Sequence, residues 1–329
     1  MYLTIAVAVY NGENYLERCL NSISKSIENY KGNKEVEVLV INDGSKDNSE
    51  VILRNYSNIF KNYVLINKEN GGLSSVRNYA VENAKGKFLW MIDVDDEIIE
   101  DAVSNVLDRI DSDINIFNYT QISNKKIQVS LDRIILQKDF ILSDNKKILL
   151  TAPSSWKFIF NTEFIRNTNL KFLDRTLYED LNISPKLLTE AKSISSFDID
   201  IYKYYINSNS IMTNKDIEKK KDIFIVMKDL KKYFEEKNIL DTYYAELEYL
   251  HIHHMLYVSY VSIIQIDKNS KVLKELRDYV NNIYHSWLNN KYLQKENIMK
   301  RTILKYVYSD NRLLVISLLK IKEILQKFL

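Results

Sequence analysis

Three carboxylates fall within four positions at Asp93-Val94-Asp95-Asp96. Charges that close repel one another and raise each other's pKa unless a cation sits among them. A hard divalent ion relieves that cost. Mg2+ or Mn2+ takes one or two carboxylates and completes its shell with phosphates and water. The bland alternative is a solvated acidic turn leading into Glu97, Glu100 and Asp101. Here the acids end an apolar run, which favours the metal. Asp43 also follows an apolar run, and its carboxylate can accept a hydrogen bond from a ring N–H such as that of uracil. Asn42-Asp43-Gly44-Ser45 is equally the composition of an Asx turn. Gly71-Gly72 would let a ligand approach the backbone, or simply make a turn. Arg77 is either a nucleotide contact or an ordinary helix arginine.

Other chemistries are excluded by what is missing. There is no Gly-x-x-x-x-Gly-Lys-Ser/Thr loop, no Gly-x-Gly-x-x-Gly after the first apolar run, and no Gly-x-Ser-x-Gly elbow. All four histidines lie between 251 and 285, so no histidine triad or zinc site can be built before them. A single cysteine, Cys19, leaves no disulfide framework.

The elements that must position these residues are legible as alternating strands and helices. Leu3–Val9, Val36–Ile41, Tyr63–Asn67 and Phe88–Ile92 are short apolar runs, as strands buried on both faces should be. Between them, Leu16, Leu20 and Ile23 mark one helix stripe, and Ser74–Ala84 reads as a helix that Gly86 stops. Such alternation predicts βαβ units and a parallel sheet whose ligands bind beyond the carboxyl ends of the strands. The chemistry is therefore expected just after residues 9, 41, 67 and 92.

Four segments in this order resemble the family 2 glycosyltransferases. They are Val7–Glu13, Val40–Asp47, Asn70–Asn78 and Gly86–Asp96, which together cover about the first hundred residues. Ala8 departs from the family, which usually has proline there. The resemblance implies an inverting enzyme with an α/β, Rossmann-like GT-A domain over 1–212, built on a mostly parallel sheet, and an all-α domain over 213–329. It implies a UDP-sugar donor held by Ala8, Tyr10, Glu13, Asp43, Gly71, Arg77, Asp93 and Val94, with Asp95 coordinating Mn2+ or Mg2+. A thymidine-linked donor offers the same ring N–H. Ser155–Phe160, with Trp156 and Lys157, resembles the segment lining the donor–acceptor cleft. Glu179-Asp180 resembles the element whose aspartate is the general base, although acids also favour a helix's first turn. Asn207 and Ser210 fall in Tyr204–Ile211, which resembles the family's segment closing the core, where residues can approach the diphosphate. The implied acceptor is a hydroxyl of a glycan, glycoprotein or lipid-linked sugar.

From Lys186 onward there is neither glycine nor proline, which predicts helices. On the last, Leu314, Leu318, Ile321, Leu325 and Phe328 form one stripe. Lys295–Leu329 carries eight basic residues against three acidic ones. The stripe is expected to face the core, with a peripheral membrane contact or a homodimer through these helices as alternatives. His251 and His254 share a helix face but lack further ligands, so packing is the expected role. With 46 basic and 44 acidic residues, the charge balance argues against nucleic acid as a partner. No leader or membrane-length apolar run is evident, so a cytoplasmic location is expected. Two other classes of function stay open: a glycan- or nucleotide-binding protein without catalysis, and an assembly subunit acting through its helical half.

Overall fold

The computed structural model describes residues 1–123, 126–129, 136–206 and 215–328. The chain forms two compact units, Met1–Arg175 with Glu179–Met212, and Thr176–Tyr178 with Thr213–Leu329. The boundary expected between 212 and 213 falls outside the described residues, as do Asn207 and Ser210.

In the first unit the strands are β1 (Leu3–Val9), β2 (Val36–Asn42), β3 (Tyr63–Asn67), β4 (Phe88–Asp93), β5 (Glu97–Ile98), β6 (Ile114–Ser123), β7 (Lys126–Val129), β8 (Gln137–Phe140), β9 (Phe158–Asn161) and β10 (Ile194–Tyr205). They form one sheet in the order β3-β2-β1-β4-β9-β6-β10-β5, with β7 on β6 and β8 on β10. β3, β2, β1 and β4 run parallel, β6 and β10 are parallel to each other, and β9 joins the two groups as an antiparallel strand. β1, β2 and β4 are buried almost throughout, which is why they read as continuous apolar runs. β3 lies at the sheet edge and is half-buried.

The helices of this unit are α1 (Leu16–Asn29), α2 (Ser49–Asn55), α3 (Leu73–Asn83), α4 (Ala102–Leu107), α5 (Thr162–Asn167) and α6 (Glu179–Glu190). Leu16, Leu20 and Ile23 of α1 are fully buried in the core, as their spacing predicts. Gly86 does not stop α3. The helix ends at Asn83 with Ala84 as its cap. Gly86 instead lies against β1: a Cβ there would stand 2.4 Å from the Thr4 nitrogen. Its N–H donates to Thr4 Oγ1 (2.8 Å) and its carbonyl accepts from Thr162 Oγ1 (2.7 Å). Close approach, rather than a left-handed turn, selects glycine here.

The second unit is helical: α7 (Ile217–Lys220), α8 (Asp222–Glu236), α9 (Tyr244–His251), α10 (Tyr260–Ile266), α11 (Val272–Ile283), α12 (Ile298–Tyr308) and α13 (Arg312–Phe328). A π-helical stretch, Ile252–Ser259, joins α9 to α10 without a break. Three residues of the apolar stripe expected to face the core on α13 do not, and Phe328 lies outside the residues whose side chains are described. Leu314, Ile321 and Leu325 are exposed, and Val315 and Leu319 are buried in their place. Among the described residues, no helix is long and apolar enough to cross a membrane.

Candidate active site

The four parallel strands end in register. Val9 pairs with Asn42, Asn42 with Asn67, and Ala8 with both Ile41 and Asp93. The segments that follow them therefore meet at one edge, where the alternation of elements places them. Half-buried Ala8 lies in the middle strand, and Tyr10, just beyond it, is 52% exposed.

Hydrogen bonds lace the first two loops together. Asn11 N–H donates to Ser45 Oγ (3.0 Å), Gly12 N–H to Ser49 Oγ (2.9 Å) and Glu13 N–H to Asp47 Oδ2 (3.0 Å). The Glu13 carboxylate accepts from the Asn48 backbone (3.0 Å) and side chain (2.9 Å). Gly12 also packs close to Val94, which fixes the first loop against the fourth.

Asp43 joins the second loop to the third. It is 2% exposed, and Lys68 Nζ (2.5 Å) and Gly71 N–H (2.9 Å) donate to Oδ1, while Gly72 N–H (2.8 Å) donates to Oδ2. Gly72, the residue before α3, holds φ at +84°, in the left-handed region that favours glycine. A carboxylate offers about four acceptor positions. These three donors leave Oδ2 able to take one more.

Arg77 is 3% exposed and joins α3 to the end of β4 and to α6. Its guanidinium donates to Asp93 Oδ1 (3.1 Å), to Glu179 Oε1 (2.6 Å) and to Asp180 Oδ1. It thus binds acidic side chains, where contact with base or diphosphate was the expectation. Asp180 also accepts from Ser155 Oγ, and at Oδ2 from Ser155 N–H (3.1 Å). Burial pushes Glu179 and Asp180 above the usual carboxylate range, and Arg77 pulls both back.

In the acidic corner, Asp96 is buried and accepts from Tyr202 Oη (2.8 Å) and Tyr205 N–H (2.7 Å). Burial, then the charges of Asp95 and Asp93, push it up to about 8. Asp93 and Asp95 are only half-buried. Arg18 reaches in from α1, donating to the Asp95 carbonyl, pairing with Glu97 (3.2 Å) and lying 3.8 Å over the Tyr205 ring. Among the described residues, no group of three or more His, Cys, Asp or Glu side chains could hold a metal ion. The corner instead fits an ion held through one or two carboxylates, Asp95 and Asp93, in the manner of Mg2+ or Mn2+ on a phosphate substrate. The charges of Asp95 and Asp93 add to burial, the larger cause, in pushing Asp96 up.

Trp156 and Lys157, expected to line a cleft, are 5% and 1% exposed. Trp156 stacks on Tyr202 (ring centroids 4.6 Å apart), and Lys157 Nζ donates to Thr151 Oγ1 (2.5 Å). Both build the core beneath the edge. Lys68 and Arg18, which the sequence reading does not name, belong to the site's framework, as does Ser155 of the segment expected to line the cleft. Lys68 and Ser155 adjoin or lie in segments that drew attention, but nothing in the pattern around Arg18 marks it.

This arrangement, an open α/β sheet whose strand ends converge on an acidic corner and a helix-borne aspartate, defines a GT-A fold. Residues 4–174, about half the chain, match the Glycosyl transferase family 2 profile, and the protein belongs to that family. It is 27% identical over 224 residues to glycosyltransferase GlyA of Streptococcus pneumoniae serotype 4, a match covering 64% of this chain and 31% of GlyA. It is 28% identical over 257 residues to EpsH of Bacillus subtilis (strain 168), covering 75% and 73%. The chain thus spans less than a third of GlyA and nearly three quarters of EpsH. Among solved structures, S. aureus TarS 1–349 in complex with UDP superposes with a TM-score of 0.67 at 20% identity, covering 97% of this chain and 90% of that one.

Proposed function

We propose that the protein transfers a sugar from a UDP-sugar to an acceptor hydroxyl with inversion at the anomeric carbon, aided by Mn2+ or Mg2+. The observation that carries this reading is the Arg77 cluster. It ties Asp180, the base candidate, to Asp93 of the acidic corner. A donor phosphate and an acceptor hydroxyl would therefore be served from one rigid set of side chains. The TarS complex with UDP supports the choice of nucleotide.

In this reading the remaining acceptor position on Asp43 takes the uracil N3–H, and exposed Tyr10 packs on the ring. Asp95 and Asp93 hold the ion, which when bound supplies Lewis-acid stabilisation of the leaving diphosphate. Asp180 Oδ2 receives the acceptor's proton as the acceptor oxygen bonds to the anomeric carbon. The bond from that carbon to the UDP oxygen breaks, and its electron pair leaves with UDP. A pKa raised by burial suits a base that works near neutral pH. Ser155 and Arg77 orient the carboxylate.

Nucleotide sugars screened for release of the nucleotide test the reaction. UDP is expected to appear with Mn2+ or Mg2+ and not with EDTA. Calorimetry tests the site: UDP binding is expected to depend on metal, and Asp95→Ala to abolish that dependence. A crystal soaked with UDP and Mn2+ that left the acidic corner empty and placed the nucleotide elsewhere would overturn the proposal.

A further inference from the structure

Helix α13 packs on its unit through Val315 and Leu319, which are 0% and 6% exposed. Its other side is apolar and uncovered. Leu313, Leu314, Ile321, Ile324 and Leu325 are 39–75% exposed. At about 100° per residue, these five and half-buried Leu318 sweep an arc of about 140° in which Ser317 is the only polar side chain. Exposed Lys320 borders one edge of the arc. Lys322, its Nζ on Tyr257 Oη (2.9 Å), lies beyond the other. The nearest acid on the helix, Glu323, sits away from the arc and accepts from Gln265 (3.3 Å). In the approach to the helix, Glu296 and Asp310 are already paired, with Lys300 (2.7 Å) and Arg312 (3.5 Å).

We infer that this face docks on the surface of an anionic lipid bilayer, with α13 lying in the plane of the interface. An apolar arc bordered by exposed Lys320 and free of carboxylates matches what such a surface offers: acyl chains below, phosphates at the sides. Lysine stems cover apolar surface while their ammonium groups reach the headgroups. A second copy fits less well. Helix-on-helix packing through this face would bring lysines to the seam with no acidic residue to meet them. Among the described residues no helix is long and apolar enough to cross a bilayer, so the contact proposed is peripheral.

Vesicle flotation of the full chain tests the inference. Roughly tenfold more protein is expected to float with vesicles of phosphatidylcholine mixed with phosphatidylglycerol than with phosphatidylcholine alone. The difference is expected to shrink as salt is raised. A combined Leu313→Ser, Ile321→Ser, Ile324→Ser and Leu325→Ser variant alters only exposed positions. It is expected to keep its circular dichroism spectrum and lose flotation, and Lys320→Glu to weaken it. Three results would each overturn the inference. One is no flotation on the anionic vesicles. Another is undiminished flotation of the fourfold variant. The third is a lipid-free dimer, seen by light scattering, that the variant splits into monomers, which would assign the face to a second copy.

Discussion

The α/β unit and the helical unit both bury charge, but they distribute it differently. In the α/β unit, buried Asp43, Arg77 and Asp96 lie at one edge of the sheet, and Arg77 alone meets three carboxylates. In the helical unit, buried charges are settled locally. Glu246 meets Lys291 (3.0 Å) and Tyr292, Glu248 meets Asn290 (2.7 Å), and Lys300 meets Glu296, Tyr249 (2.9 Å) and His253 (2.9 Å). Buried polar groups are thus not by themselves a sign of a site. Parallel strands bring their carboxyl ends to one place, so charges carried there accumulate. The helical unit has no such strand ends, and these charges each find their own neighbours.

The largest effect should come from the base. Asp180→Asn is expected to lower turnover by about 10²–10⁴-fold with UDP affinity unchanged. Steady-state kinetics and calorimetry would check both, and near-normal turnover in a folded variant would remove Asp180 from the role.

The contrast in charge placement sets the next expectation. Arg77→Met strands Glu179 and Asp180, whose side chains are 12% and 18% exposed, together with half-buried Asp93, and is expected to cost about 3–5 kcal/mol in urea denaturation. Lys300→Met releases mainly Glu296, whose side chain is 26% exposed, and should cost less, about 1–3 kcal/mol. A larger loss at Lys300 than at Arg77 would break the comparison. Gly86→Ala forces a Cβ against the β1 backbone and is expected to cost about 1–3 kcal/mol, read from the same denaturation curves.

Acid should move the two units in opposite directions. Burial holds His251 at about 4, well below its usual value. The unfolded chain takes up that proton near pH 6.5, so stability present above 6.5 is lost as the pH falls toward 4. At pH 5.5 the loss is on the order of 1 kcal/mol. Glu179 behaves in reverse. Its raised pKa lets the folded chain keep a proton that the unfolded chain has released, so its contribution grows as the pH falls. Hydrogen exchange on metal-free protein between pH 8 and 5.5, resolved by unit, would sharpen the comparison. Parallel slopes in the two units would contradict it.

Much of the α/β unit is legible in the sequence for a physical reason. A strand buried on both faces shows an unbroken apolar run, and the polar residues that interrupt it mark the strand's end. Leu3–Val9 and Tyr63–Asn67 have the bounds that reading predicts, while the second and fourth strands each run one residue further. Asp43, Asp93 and Asp180 stand out by position. How they pair does not, because Arg77 meets Glu179 and Asp180 across about a hundred residues, and no local period records such a meeting. The sequence near Trp156 marks a segment but not which way its side chains point, and they point into the core. On α13 the period reveals an apolar stripe, yet the stripe carries no information about what covers it.

Because one guanidinium grips both Asp93 and Asp180, a defect introduced at position 77 is ambiguous by construction. Weakened donor affinity and impaired deprotonation would arrive together, whichever step actually limits the reaction. Ser155 escapes that ambiguity. It supports Asp180 through its hydroxyl and its backbone N–H, and it makes no bond to Asp93. Removing the hydroxyl alone would therefore isolate the acceptor half of the machinery from the nucleotide half.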